Sequence, residues 1–137
     1  MNRTEIAAWI ELALHDASTA NLIRDHGGYP DIGIYHLHQA TEKLLKATIL
    51  AGGGALPKIH ALDALATIAA ESWPEVAALA RYISSLDRFL PRLRYPHGTS
   101  INAADFQSCH ESYEAISASL LAILERETGI PSSRSAP

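Results

Sequence analysis

Apolar residues in the first part of the chain recur three and four apart, at Ile6, Trp9, Ile10, Ala13, Ala17, Ala20 and Ile23. That spacing gathers them on one face of a helix, so residues 4–25 are predicted as an amphipathic α-helix capped by Thr4. The run His26-Gly27-Gly28-Tyr29-Pro30 cannot extend it, because two glycines followed by proline favour a turn. A second helix is predicted from Asp31, as N-cap, to Ala51, with Ile34, Leu37, Thr41, Leu44, Leu45, Thr48 and Ile49 forming a broad stripe. Gly52-Gly53-Gly54 ends it. Residues 60–70 give a short third helix. Ser72-Trp73-Pro74 then restarts the chain into a fourth over 75–93, which Pro91 bends or terminates. After a loop through Pro96 and Gly98, Asn102 caps a last helix to about residue 127, with Phe106, Cys109, Tyr113, Ile116, Leu120 and Leu124 near one face.

No stretch alternates apolar and polar residues with Val, Ile and Thr in excess, and no internal repeat is visible. The pattern therefore predicts an all-α fold. The expected architecture is an antiparallel four- to five-helix up-and-down bundle over residues 1–127, followed by a flexible tail over 128–137.

Composition agrees with a single core. The chain has 137 residues, of which 47% are hydrophobic, enough for one packed domain but not for two. Ala and Leu dominate that fraction, which favours helix over strand. The formal charge is −4 with His neutral, so the surface as a whole does not attract polyanions, and any nucleic-acid contact requires a local basic patch. The lone Cys109 has no intrachain disulfide partner and cannot build a cysteine-based metal site. No cofactor is expected. The N-terminus leads into an amphipathic segment without a long apolar run, from which a cytoplasmic location with no membrane association is expected.

Two features carry candidate chemistry. In the second helix His36, Gln39, Lys43 and Lys46 lie three, four and three apart on one side, where Asp16 of the first helix can face them. His38 and Glu42, one turn apart, are read as a core or dimer contact, since two ligands without a third do not fix a metal. The second feature is the run from residue 81 to 97, which holds Arg81, Arg88, Arg92, Arg94 and His97 against one acid, Asp87. Guanidinium groups suit bidentate phosphate recognition.

Several motifs in order resemble one family. Asp16 with Ala20, Tyr29-Pro30-Asp31, Tyr35-His36, Gln39-Ala40, Glu42-Lys43, Lys46-Ala47, Lys58-Ile59-His60 and Leu93-Arg94-Tyr95-Pro96 together look like a HEPN domain (higher eukaryotes and prokaryotes nucleotide-binding). The resemblance spans residues 5–126. It implies a helical bundle that forms a homodimer and often works beside a small nucleotidyltransferase. Many such proteins are metal-independent ribonuclease toxins of toxin–antitoxin pairs, using an Arg and a His separated by four to six residues, with the two copies meeting at the dimer interface.

Arg92 and His97 satisfy that spacing and are the catalytic candidates. The imidazole would move the 2′-hydroxyl proton while the guanidinium steadies charge on the phosphate. Leu93 stands where the family's cleaving members usually carry a polar residue, Pro96 and Gly98 interrupt helix, and no tyrosine sits two residues after His97. The first reading is accordingly a homodimeric module that binds nucleotide or RNA phosphate, or a nucleotidyltransferase partner, through Arg88, Arg92 and Arg94 with Lys43 and Lys46. The ribonuclease is the second reading, and a purely structural helical adaptor the third.

Overall fold

The computed structural model describes residues 2–95 and 100–131. The described chain is all helical: α1 (Arg3–His26), α2 (Pro30–Ala51), α3 (Leu62–Ser72), a 3-10 segment (Pro74–Leu79), α4 (Ala80–Asp87), α5 (Leu90–Arg94) and α6 (Ala103–Thr128). α2 is the central helix. It packs against α1, α3 and α6, while α4 closes the bundle against α3 and α6. Fourteen of the 22 residues of α2 are buried, so it is covered nearly all round, as a helix at the middle of a bundle must be. Its buried hydroxyls bond back along the helix, Thr41 Oγ1 to the Leu37 carbonyl at 2.9 Å and Thr48 Oγ1 to that of Leu44 at 2.7 Å, which leaves neither orphaned in the core.

The helix ends show where local chemistry set boundaries that the apolar pattern could only approximate. α1 begins one residue before Thr4, because Asn2 is the N-cap and accepts from the Glu5 amide at 3.0 Å. Asp31 lies within the first turn of α2 and does not cap it; Tyr29 holds the cap position ahead of Pro30. α3 begins and ends two residues later than the apolar pattern suggests. Gly27 closes α1 at φ 78°, a left-handed conformation that side chains with a Cβ resist.

The predicted fourth helix is three pieces. A proline at position 91 clashes with the carbonyl four residues earlier and donates no hydrogen bond to it; that earlier residue is Asp87, where α4 stops. Pro91 then sits in the first turn of α5. α6 starts as expected from Asn102, in a reciprocal capping box with Asp105. It is closed by Gly129 at φ 75°, and Ile130 packs partly against the core. Arg3 Nε donates to the Thr128 carbonyl at 2.8 Å, tying the start of α1 to the end of α6. Residues 132–137 of the expected tail lie outside the described residues.

Candidate functional site

The break between α4 and α5 presents the arginine run. Phe89 lies at the break, 1% exposed, and its ring carries two guanidinium groups, Arg88 at 5.0 Å and Arg92 at 4.7 Å from the centroid. This cation–π arrangement fixes two positive charges over one buried anchor. Both charges act on Cys109 of α6, which places the arginines beside the first turns of that helix. Arg94, two residues further on and exposed, acts on His38. Arg81 is set apart, donating to the Tyr82 hydroxyl at 3.0 Å and lying over that ring.

The single acid of the run is held by α2 and α3. Asp87 Oδ1 meets His38 Nε2 at 3.2 Å, and Oδ2 accepts from the Asp63 amide at 3.2 Å. Asp63 is in turn held by the Ser84 hydroxyl at 2.8 Å. His38 is 1% exposed. Burial is the largest influence on it and holds its pKa below the ordinary imidazole value, against the pull of Asp87. A neutral ring that donates from Nε2 to Asp87 leaves Nδ1 a bare acceptor, and Nδ1 has no partner among the described residues. The expectation of a core contact for His38 is met. Cys109, buried, has its thiol pushed up to about 12, chiefly by burial, so it is not a nucleophile at neutral pH.

The α2 lysines are engaged elsewhere. Asp16 of α1 faces α2 as expected, pairing with Lys43 and with His36 Nδ1 at 2.8 Å. Lys46 is buried, bonded to Glu42 Oε2 at 2.8 Å and lying 5.5 Å over the Trp9 ring. Glu42 Oε2 also meets His60 Nδ1 at 3.0 Å. His38, Glu42 and Lys46 thus form a buried polar seam at four-residue spacing along α2. No group of three or more His, Cys, Asp or Glu among the described residues is placed to hold a metal ion.

Against known proteins, the family model described as "HEPN domain" matches residues 6–126. The chain belongs to the HEPN family. No curated protein and no solved structure matches it. The HEPN match runs from within α1 to within α6 and includes the arginines of α4 and α5 and the His38–Asp87 contact. Of the catalytic candidates, His97 lies outside the described residues, and Arg92 is anchored on Phe89. No described helix of this HEPN chain is long and apolar enough to cross a membrane. The sequence reading missed that Asp87 is held by His38 and the Asp63 amide, contacts made across 49 and 24 residues that no local signal marks.

Proposed function

We propose that the chain is a homodimeric HEPN module whose arginine segment, Arg88, Arg92 and Arg94, binds the phosphates of a nucleotide or RNA. The observation that carries this reading is the inward commitment of Asp87 to His38 and the Asp63 amide. The acid nearest the arginines in sequence therefore has both oxygens occupied by His38 and the Asp63 amide. Guanidinium groups anchored over one aromatic ring are restrained before a ligand arrives, which lowers the entropy lost on binding phosphate. Lys43 and Lys46, held by Asp16 and Glu42, serve the α1–α2 contact in this account.

Dimerisation is supported by the stripe Tyr29, Ile32 and Tyr35 at three-residue spacing, which is 77%, 44% and 45% exposed. A large apolar strip of this kind is ordinarily covered by a partner. Light scattering at tens of micromolar should return twice the chain mass; a monomer there would refute the dimer.

Fluorescence anisotropy with a short labelled RNA and with a labelled nucleotide tests the site. Arg92→Ala with Arg94→Ala should weaken binding by about 1.5–3 kcal/mol for each charge-assisted bond lost and leave the helical signal intact. Unchanged affinity for both probes would remove the arginine segment from the account. Adding chelator and the His97→Ala variant to an RNA incubation separates binding from cleavage: loss of cutting with retained affinity identifies a ribonuclease.

A further inference from the structure

A cavity of the bundle lies away from the arginine run, between the C-terminal end of α1, the start of α2 and the first turns of α6. Its volume is about 410 Å³, within the range of small-molecule sites. Ile23, Pro30 and Phe106 supply apolar wall, and the rim is the Gly27-Gly28 turn, the motif that marked the end of α1 in the sequence. A Cβ on Gly27 would meet open space, so this stretch of backbone leaves the entrance clear. Phe106 is held firmly, because its ring lies against Gly33 of α2, where even a methyl group would come within 2.4 Å of it. The ring also contacts His110 edge-on at 6.4 Å.

One end of the cavity is polar. His110 is 5% exposed, and its Nε2 lies 2.8 Å from Arg24 Nη1 and 2.7 Å from Asn21 Oδ1. Burial, with the Arg24 charge as the next largest cause, keeps the pKa of His110 below its ordinary value. With its proton on Nδ1, the neutral ring accepts from Arg24 at Nε2. A guanidinium directed at a neutral imidazole retains donor capacity that the imidazole does not neutralise. Asp25 meets Arg24 Nε at 2.8 Å on the exposed side, and the guanidinium's bonds to described residues run through Nε and Nη1. Glu114, 3.6 Å from His110 Nδ1, and Glu111, held by Gln107, also act on this end of the cavity from its exposed side. An apolar chamber with a few convergent polar groups, one of them a buried histidine with a perturbed pKa, has the anatomy of a ligand site.

We propose that this cavity binds a small monocarboxylic acid with a flat, ring-sized apolar body, its ring against Phe106 and Pro30 and its carboxylate on Arg24. The site is independent of the arginine segment: Cys109, beside Arg88 and Arg92, and His110, beside Arg24, are consecutive on α6 and so face about 100° apart.

The test is an NMR titration of the full chain with naphthoate and, separately, with neutral naphthamide. Naphthoate should give saturable shifts at Gly27, Gly28, Gln107 and His110, with an affinity at least roughly tenfold above that of naphthamide, equivalent to about 1.4 kcal/mol. Arg24→Gln should abolish that preference. Ala104→Phe, which fills the chamber from a lining position, should abolish binding of both probes while circular dichroism stays helical. Should Ala104→Phe fail to fold, Arg24→Gln at the half-exposed rim still decides. The proposal is overturned if naphthoate produces no saturable shift at these residues, if naphthamide binds equally well, or if the preference survives in Arg24→Gln. Combined replacement of Arg88 and Arg92 by Ala should leave naphthoate binding unchanged, so failure of the phosphate site and failure of this one are told apart.

Discussion

Replacing Asp87 by alanine tests whether the arginine segment is held from inside. The carboxylate accepts from a buried imidazole and from a backbone amide, each at 3.2 Å. Its loss strands His38 Nε2–H in a site that is 1% exposed, on a ring whose Nδ1 already lacks a described partner. A buried donor left unsatisfied costs about 1–3 kcal/mol. The Asp63 amide sits at an exposed helix start, where water replaces the lost bond, and adds little. The expected destabilisation is therefore about 2 kcal/mol, or a fall of about 1 M in the urea midpoint for a protein of this size. Asp87→Asn retains a side-chain oxygen for the imidazole and should lose about half as much. Urea denaturation followed by circular dichroism measures both. Equal stability of Asp87→Ala and the parent, or equal damage from Ala and Asn, would refute the reasoning.

His38 and His110 are both held neutral by burial. Their folded pKa values lie below the unfolded value of about 6.5, so the unfolded chain takes up protons first and stability should fall as pH drops below that point. His38→Gln should flatten this acid slope in urea titrations from pH 7 downward, and an undiminished slope would remove His38 as a contributor. Glu42→Ala strands the buried Lys46 and should cost about 3–5 kcal/mol; Glu42→Leu combined with Lys46→Met should recover most of it, a contrast readable by thermal melting. Gly33→Ala gains helix propensity of about 1 kcal/mol but drives a methyl group to 2.4 Å from the Phe106 ring, an overpacking cost of about 1–3 kcal/mol. The variant should melt below the parent, and a higher melting temperature would show that Phe106 moves freely.

Much of the architecture was legible because the apolar spacing of residues 6–23, 34–49 and 106–124 states the helical period directly, and Gly27, the Gly52–Gly54 run and Asn102 mark ends by their own conformational chemistry. The segment from Pro74 to Arg94 was not legible as three pieces. The break at Pro91 was foreseen, but the apolar spacing runs on across the boundary between the 3-10 segment Pro74–Leu79 and α4 and does not mark it. Clustering of the arginines could be read from sequence, but the direction of the one acid among them could not, since Asp87 is turned inward by His38 and Asp63, which lie 49 and 24 residues away. Lys43 and Lys46 looked available. Asp16 was foreseeable as a partner from its place on the facing helix, and Glu42 lies one turn before Lys46 on α2 itself; what the sequence did not show is that the Glu42–Lys46 pair is buried.

The central claim is that Arg88, Arg92 and Arg94 form a phosphate-binding surface. RNA affinity measured across a range of salt concentrations tests it most directly, because each phosphate neutralised steepens the logarithmic dependence by about 0.7 for a single strand. The account predicts a clear salt slope for the parent chain, and a shallower one, by about 1.4, when Arg92 and Arg94 are both alanine. A slope identical in the two proteins would contradict it.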